Sequence, residues 1–449
     1  MGLTHRLMGR THRSSVAPPS AGAKLAHPVS AEPEWLAYLQ EICELLWPPP
    51  AVVTVKRNQH GWLRFPGIDR SGAPVPANGV ASDLVLAPGI RRPPLLVPSD
   101  PRLAAAAVRR YSRSQSMAAR LAAKALSLGL ASGLGGNVLG GKVRVEAVPR
   151  TDTIQAYLSD AVSCDVSVSM YVGLPRANRK PVLQLLTSTG QTVGFAKIGV
   201  SPLTRELVRA EYASLTELGQ ARLTQVKIPQ VLHYGQWHGL DVLVMSALPA
   251  WLPRLPLPSA RLAGAMCEVA NLSGPRSEPL GGRYLPRLTE RLQSADEGPE
   301  RAALLRALSE LDVQAGNAVL KFGAWHGDWS PWNMASTGEG LLVWDWERFT
   351  TGVPVGFDAL HYWLQNEVGP TRRDPLAASF ACLEQAAQLL APFGISRPQA
   401  RVTAVLYLAD LATRYLVDRQ ARAGAPRGAP GTWLIPPIEL EVARQQTRA

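Results

Sequence analysis

The segment that most constrains this chain is residues 322–350, FGAWHGDWSPWNMASTGEGLLVWDWERFT. It contains Asp328 and, five positions later, Asn333. Pro331 lies between them, so the spacing predicts a loop and not one face of a helix. The apolar run LLVWDW then predicts a strand that ends at Asp345. Two carboxylates and an amide in this arrangement can hold a hydroxyl group beside a divalent cation and nucleotide phosphates.

The N-terminal third carries most of the positive charge of the chain. Residues 1–150 contain 19 Lys and Arg against 8 Asp and Glu, and the net charge of all 449 residues is +12. We expect residues 1–30 to be a flexible leader and residues 31–150 to form a basic accessory region. Its basic residues either form a solvated surface or support a weak association with an anionic partner. No zinc-ligand spacing or recognition-helix motif predicts sequence-specific nucleic-acid binding.

The accessory region is predicted to combine helices with short strands. EWLAYLQEICELLW has apolar residues at helical spacing, and short apolar runs between Gly and Pro predict an irregular β module over residues 51–100. Asp100 is the predicted cap of a helix that opens at Pro101. A basic stripe follows at Arg109, Arg110, Arg113, Arg120 and Lys124. The glycine-rich LGLASGLGGNVLGG lacks the spacing of a dinucleotide fingerprint and is interpreted as a loop or linker.

Cysteine spacing and hydropathy bear on the compartment of the protein. Cys43, Cys164, Cys267 and Cys382 lie far apart in the sequence, which favours neither a metal site nor a disulfide framework. No run reaches the ~18 apolar residues of a membrane span, and the first twenty residues lack the apolar core of a secretion signal. We therefore expect buried thiols, no transmembrane segment and a cytoplasmic protein.

Strand and helix patterns precede the polar cluster in a defined order. SVSMYVG, PVLQLL and TVGFAKIG predict three strands, the last of which carries Lys197. LTRELVRAEYASLTEL predicts an amphipathic helix that carries Glu206 and Glu211. Two more strands, joined through Gly239, lead to a short connector at residues 246–249. The segments 250–320 and 355–422 are mainly helical in pattern.

These residues resemble the aminoglycoside phosphotransferase and choline kinase group of small-molecule kinases, which have the two-lobed fold of protein kinases. The resemblance covers about residues 154–420, and HGDWSPWN followed by WDWE is its strongest element. It implies an α+β fold. A small antiparallel β lobe with one main helix would span 151–249, and a larger, mostly helical lobe would span 250–449. The extra N-terminal α/β region would precede them, and a substrate-site insert is expected at about 250–320.

The resemblance implies an ATP-dependent phosphotransferase that moves the γ-phosphoryl group to a hydroxyl of a small molecule. Asp328 would be the catalytic carboxylate, which orients the acceptor hydroxyl and takes its proton. Asn333 and Asp345 would hold Mg²⁺. Ser330, where protein kinases acting on Ser or Thr have Lys, and the WDWE setting of Asp345 both favour a small-molecule acceptor.

The same resemblance implies residues for the nucleotide. Lys197 would contact the donor phosphates and Glu211 would orient it, with Glu206 as the alternative partner. Ser246 and Leu248 in the connector would present backbone groups to the adenine. A later acidic residue, Asp358, would brace the catalytic loop.

Three alternatives remain open at the level of sequence. The loop between the first two strands of the lobe has little glycine, so Arg176, Arg179 and Lys180 either contact phosphates or form a solvated tip. The tryptophans of this region, Trp325, Trp329, Trp332, Trp344, Trp346 and Trp363, serve either as packing or as a stacking platform for an acceptor. The alternative function is a catalytically weak kinase fold that acts as a nucleotide-binding or scaffold module. The acceptor could be a sugar, an amino alcohol or another metabolite, and the donor could be ATP or GTP.

Overall fold

The computed structural model describes residues 34–57, 62–64, 80–87, 95–111, 124–129, 141–147, 151–171, 173, 176–369, 373–423 and 428–446. The predicted leader lies outside these residues. So does the glycine-rich segment, apart from Leu128, Gly129 and Gly141. Of the basic stripe, only the side chain of Lys124 is described, and it is exposed. No helix in the described ranges is both long enough and apolar enough to cross a bilayer.

The N-terminal region contains the helices and the β module predicted for it. Its elements are α1 (Glu34–Leu46), β1 (Val52–Arg57), β2 (Trp62–Arg64), β3 (Val80–Ala87), β4 (Leu95–Pro98), α2 (Pro101–Tyr111) and β5 (Gly141–Ala147). The predicted cap of α2 is confirmed, because Asp100 Oδ1 accepts from the backbone N–H groups of Arg102 at 2.8 Å and Leu103 at 3.0 Å.

The small lobe follows the predicted order of strands and helix. Its elements are α3 (Ile154–Ala161), β6 (Ser167–Tyr171), β7 (Val182–Leu186), β8 (Thr192–Gly199), α4 (Pro202–Gln220), β9 (Val226–Lys227), β10 (Val231–Trp237) and β11 (Leu240–Ser246). The antiparallel hairpins β6–β7–β8 and β10–β11 come together because β11 pairs with β8, which places Lys197 opposite Leu243.

One ten-stranded antiparallel sheet joins the N-terminal region to the small lobe. Its strand order is β10-β11-β8-β7-β6-β4-β3-β5-β1-β2. The junction is the pairing of β4 with β6, at Leu95 with Tyr171 and Leu96 with Met170. A single buried apolar cluster contains residues of both parts, among them Leu39 and Val143 from one and Ile154 from the other. The two parts therefore share a core.

The register of α4 determines which of its acidic residues faces the sheet. Ser201 and Thr204 form a capping box at its start, and Pro202 occupies the first helical position. Leu207, Glu211 and Leu215 are spaced four residues apart and are all buried, so Glu211 lies in the apolar stripe of the helix.

The large lobe is mainly helical, as predicted. Its helices are α5 (Ser259–Ala270), α6 (Tyr284–Gln293), α7 (Pro299–Ala315), α8 (Phe357–Val368), α9 (Pro375–Leu390), α10 (Arg397–Val417) and α11 (Ile435–Gln446). Its strands are β12 (Arg276–Pro279), β13 (Val319–Trp325), β14 (Met334–Thr337), β15 (Gly340–Val343) and β16 (Thr350–Pro354). They form the sheets β12-β13-β16 and β14-β15-β9. The helix α10 is buried along most of its middle, from Ala400 to Thr413, and belongs to the core of this lobe.

The segment around residues 326–333 is a loop between β13 and β14, as its spacing predicted. Asp345 follows β15 and precedes a short 3₁₀ helix, Trp346–Arg348. The predicted α+β, two-lobed, protein-kinase-like fold with an extra N-terminal α/β region is confirmed. The segment that carries Asp345 faces Lys197 of β8 across a cleft between the lobes.

Candidate active site

The loop after β13 is held at its start by buried hydrogen bonds. The backbone N–H groups of His326 and Gly327 donate to the carboxylate of Asp358, at 2.8 and 3.2 Å. The fully buried ring of His326 accepts from the N–H of Asp328 at 3.1 Å through Nδ1, and its Nε2 donates to the carbonyl of Trp344 at 3.1 Å. Burial lowers the pKa of His326 to about 4, so the ring is neutral at pH 7. The loop is thus fixed to two neighbouring segments.

Gly327 allows the loop to pass close to the backbone of another segment. Its φ of +85° lies in the left-handed region, and a Cβ at this position would be 2.2 Å from the carbonyl oxygen of Arg348. Its own carbonyl accepts a hydrogen bond from the guanidinium of Arg414 at 2.7 Å. A side chain at residue 327 would therefore displace the loop that carries Asp328.

The carboxylate of Asp328 has a hydrogen-bond donor on each oxygen. Asn333 Nδ2 donates to Oδ2 at 2.8 Å and to the backbone carbonyl of Asp328 at 3.0 Å. His361 Nε2 lies 3.0 Å from Oδ1. Desolvation acts to raise the pKa of Asp328, but the hydrogen bond and charge of His361, with help from Arg414, bring the pKa below its usual value. The group is therefore ionised at pH 7, and its side chain is 35% exposed.

Lys197 is surrounded by carboxylates. Its Nζ is 2.6 and 2.5 Å from the two oxygens of Glu211 and 2.5 Å from Oδ1 of Asp345. Burial acts to lower the pKa of Lys197, but the charges of Asp345 and Glu211 outweigh it, so the pKa is raised and the ammonium stays charged. Glu206, the alternative partner, is exposed on the other face of α4.

Three carboxylates meet at this position. Oxygens of Glu211, Asp345 and Glu347 lie within 4.8 Å of one another. Asp345 has a left-handed backbone with φ of +76°, which is uncommon for a residue with a side chain and turns the strand end into the 3₁₀ helix. Glu347 forms an ion pair with Lys180, whose side chain is only 7% exposed.

These oxygens fit a divalent cation by their chemistry. Mg²⁺ prefers carboxylate and amide oxygens, and Asp345, Glu347 and Glu211 offer three carboxylates in one place. Asn333 donates through its amide nitrogen, which leaves its carbonyl oxygen as the atom able to bind a cation. Its backbone carbonyl accepts from Trp344 N–H at 3.1 Å, which links the loop to the segment of Asp345.

A cavity of about 200 Å³ lies between the lobes and reaches Lys197, Asp345 and Glu347. Its apolar lining includes Val182, Phe195, Pro229, Met245 and Leu248, and its charged lining includes Arg176, Arg179, Lys180, Lys197, Arg254, Asp345 and Glu347. Ser246 and Leu248, both expected to face the nucleotide base, line the cavity. The N–H of Ser246 is engaged, since it donates to the carbonyl of Gln230 at 2.8 Å.

The basic loop between β6 and β7 is more than a solvated hairpin tip. Arg176, Arg179 and Lys180 line the cavity, and Lys180 is tied to Glu347 of the large lobe. The guanidinium carbon of Arg179 is 3.4 Å from the ring centroid of Tyr38, which belongs to α1 of the N-terminal region. The N-terminal region therefore contacts a residue of the cavity wall from behind.

The tryptophans divide into two groups. Trp325, Trp329 and Trp346 are buried and act as packing. Trp344 lines the cavity. Trp332 packs against Gly369, so closely that a Cβ atom at residue 369 would lie 3.0 Å from the indole ring of Trp332.

Sequence reasoning missed three participants in this arrangement. Glu347 lies two residues after Asp345 in WDWE, and His361 lies one helical turn after Asp358, so local spacing was a signal for both. Lys180 was predicted either to contact phosphates or to lie in a solvated tip, and its pairing with Glu347 was not predicted. Tyr38 had no local signal, because it lies 141 positions before Arg179 and reaches it only through the folded sheet.

Comparison with known families bears on these groups. Residues 186–392 match the family model described as "Phosphotransferase enzyme family". This part of the chain is similar to that family. The matched region contains Lys197, Glu211, Asp328, Asn333 and Asp345. At family level, the match supports a small-molecule phosphotransferase. A search of curated proteins finds no match to the chain.

Solved structures with a similar arrangement include three named kinases. A mutant of aminoglycoside phosphotransferase APH(4)-Ia, in complex with ADP and hygromycin B, is 14% identical with a TM-score of 0.43, covering 65% of this chain and 98% of its own. Choline kinase LicA from Streptococcus pneumoniae is 13% identical with a TM-score of 0.42, covering 65% and 99%. A putative fructosamine-3-kinase from Haemophilus somnus 129PT is 12% identical with a TM-score of 0.39, covering 64% and 96%.

Proposed function

We propose that this protein transfers the γ-phosphoryl group of ATP to a hydroxyl group of a small molecule, with Mg²⁺ as the metal. The observation that carries the proposal is the contact of Lys197 with both Glu211 and Asp345 across the cleft, beside the loop in which Asn333 holds the carboxylate of Asp328. Phosphoryl transfer depends mainly on positioning and on stabilising charge, and this cleft holds a cation, a carboxylate cluster and a base together.

The cavity supports the binding of a nucleotide. Its apolar side, with Val182, Phe195 and Met245, suits a purine base, and its basic side suits phosphates. Leu248 is our candidate for backbone contact with the base, because the Ser246 N–H is already engaged in the sheet. Lys197 would lie at the phosphate end, oriented by Glu211.

Asp345 and Asn333 would hold Mg²⁺, with Glu347 close enough to Asp345 to contribute. When bound, the metal would offset the charge that spreads over the transferred group. In this structure Lys180 pairs with Glu347 and Lys197 pairs with Asp345. Metal binding to Glu347, or phosphate binding to Lys180, would therefore compete with the ion pair between Lys180 and Glu347.

Asp328 would act on the acceptor. Its ionised carboxylate, which is partly exposed, can accept a hydrogen bond from the acceptor O–H and orient the oxygen towards the phosphorus. As the new P–O bond forms and the bond to the leaving oxygen of ADP breaks, the hydroxyl proton passes to Asp328. The acceptor itself would be bound by α5 to α7, within residues 250–320, and by the C-terminal helices.

The experiment is a coupled ADP-release assay with ATP or GTP and a panel of sugars, amino alcohols and other hydroxylated metabolites. We expect Mg²⁺-dependent turnover that Asp328→Asn lowers at least 100-fold, without loss of ATP binding in a thermal-shift titration. Glu339→Gln, at an exposed hairpin outside the cleft, is the control. If ATP with Mg²⁺ stabilises the protein but no acceptor or water is phosphorylated, the nucleotide-binding scaffold is the better description. Absence of nucleotide binding would overturn both.

A further inference from the structure

A histidine outside the sequence motif holds the carboxylate proposed as the base. His361 lies on α8, and its Nε2 is 3.0 Å from Oδ1 of Asp328. The opposite ring nitrogen, Nδ1, is 3.1 Å from the hydroxyl of Tyr407 on α10. His361 is 1% exposed and Tyr407 is fully buried, so bulk water does not replace either contact. The three side chains form one hydrogen-bonded chain from the helical core to the cleft.

The chain has a defined direction. A carboxylate only accepts hydrogen bonds, so Nε2 of His361 carries a proton and donates it to Asp328. When the ring is neutral, Nδ1 therefore lacks a proton and accepts the O–H of Tyr407. Tyr407 thereby selects the ring tautomer that can donate to Asp328. The opposite tautomer would place two lone pairs against each other at Oδ1.

Packing holds the ring in this orientation. Trp325 makes an edge contact with His361 at 6.3 Å between centroids and 88° between planes, and Tyr407 does so at 5.9 Å and 86°. Other charged or titratable groups around Asp328 are Arg414 on α10, Asp345 after β15, His326 in its own loop and Asp358 on α8. None of these four provides a side-chain hydrogen bond to the Asp328 carboxylate among the described contacts.

We propose that His361 is a positioning residue for phosphoryl transfer, and that Tyr407 sets its tautomer. With Asn333 on Oδ2 and His361 on Oδ1, the plane of the Asp328 carboxylate is fixed by donors from the loop and from the helical lobe. One lone pair on each oxygen remains for the acceptor hydroxyl. The inference rests on the proposed function, because it assigns to His361 the orientation of the base in that reaction.

The inference predicts a separation of kcat from nucleotide affinity. His361→Leu removes the donor and keeps an apolar side chain in the core, so kcat is expected to fall 10- to 100-fold, with the KM for ATP and its Kd unchanged within twofold. His361→Gln restores an N–H close to the position of Nε2 and is expected to recover kcat to within about fivefold of wild type. Tyr407→Phe removes only the tautomer selection and is expected to lie between the two. Thermal unfolding of each variant shows whether folding is retained.

A spectroscopic measurement tests the chain without turnover. Long-range ¹H–¹⁵N spectra of the histidine rings, with His361 assigned by its absence in His361→Gln, are expected to show a protonated Nε2 and an unprotonated Nδ1. Tyr407→Phe should convert part of the population to the other tautomer. A wild-type ring with the proton on Nδ1 would overturn the proposal.

The kinetic outcomes separate this proposal from the one on which it rests. If wild type turns over and His361→Gln is as impaired as His361→Leu while both remain folded, His361 only fills space and the proposal is wrong. If His361→Leu raises the KM for ATP and leaves kcat unchanged, it is equally wrong. If wild type shows no nucleotide-dependent transfer to any acceptor although the tautomer is as stated, the proposed function fails and the role of His361 falls with it.

Discussion

Lys197 Nζ lies within hydrogen-bond distance of both carboxylate oxygens of Glu211, at 2.6 and 2.5 Å, although the two residues belong to different elements. Glu211 is fully buried and also accepts from the backbone N–H of Trp346 at 3.2 Å. This carboxylate thus joins β8, α4 and the segment after β15. Its loss affects the position of Lys197 and of the metal-binding segment together.

Glu211→Gln is expected to lower the free energy of unfolding by about 3 kcal/mol, because the buried ammonium of Lys197 loses one of its two contacting counter-charges. It is also expected to lower kcat/KM for ATP at least tenfold. Glu206→Gln, on the exposed face of the same helix, is the matched control and should stay within about 0.5 kcal/mol of wild type. Urea unfolding monitored by tryptophan fluorescence measures the free energy of unfolding of both variants. Equal effects of the two substitutions would contradict the pairing.

Glu347→Gln is expected to weaken Mn²⁺ binding about tenfold in the presence of a non-hydrolysable ATP analogue, since one oxygen of the carboxylate cluster is lost. Lys180→Met should strengthen Mn²⁺ binding in the absence of nucleotide, because the ammonium that pairs with Glu347 is removed. Titration of free Mn²⁺ by electron paramagnetic resonance gives both affinities. Glu339→Gln is the control, and unchanged Mn²⁺ affinity in both variants would exclude Glu347 from the metal site.

Gly327→Ala is expected to destabilise the fold by about 2 to 4 kcal/mol. A left-handed φ is unfavourable for alanine, and its Cβ would lie 2.2 Å from the carbonyl oxygen of Arg348. Gly338→Ala makes the same chemical change in a hairpin where nothing lies within 4 Å of the added Cβ, and should be close to neutral. Differential scanning calorimetry compares the two. A neutral Gly327→Ala would show that the loop can move away from Arg348.

The buried His326 predicts a loss of stability in acid. Burial lowers its folded-state pKa to about 4, whereas an unfolded histidine titrates near ~6.5. Below the unfolded-state pKa, His326 binds a proton in the unfolded chain but stays neutral in the folded protein. The free energy of unfolding therefore falls between about pH 6.5 and 4, by up to about 3 kcal/mol. His326→Asn keeps an acceptor for the N–H of Asp328 and should have a flatter pH dependence over this range. Parallel urea titrations from pH 7.5 to 4.5 measure the difference, and superimposable slopes would contradict it.

The contact of Arg179 with Tyr38 predicts a role for α1 in nucleotide binding. Tyr38→Ala removes the ring under the guanidinium and should raise the KM for ATP about threefold to tenfold. Tyr38→Phe keeps the ring and removes only the hydroxyl. The Tyr38 hydroxyl is buried and has no hydrogen-bond partner among the described residues, so this variant should behave as wild type. Isothermal titration with ADP provides an independent readout. If Phe and Ala variants weaken binding equally, the ring face is not the source of the effect.

The sequence was most informative where function and local spacing coincide. The Asp328–Asn333 interval predicted a loop, and the structure joins these two side chains by a hydrogen bond. The choice between Glu206 and Glu211 stayed open, although Leu207 and Leu215 flank Glu211 at four-residue spacing and could have placed it on the buried face. Long-range contacts had no such signal. Whether His361 meets Asp328, or Lys180 meets Glu347, depends on how α8 and the β6–β7 loop pack.

The pairing of β4 with β6 also affects how this protein can be divided in the laboratory. A chain that begins at residue 151 would leave the backbone N–H and C=O groups of β6 open along one side, together with apolar side chains that α1, β3 and β5 now cover. Such an unpaired strand edge promotes association between copies of the chain. Expression of residues 151–449 alone should therefore give insoluble material, and the full chain is the appropriate unit for expression.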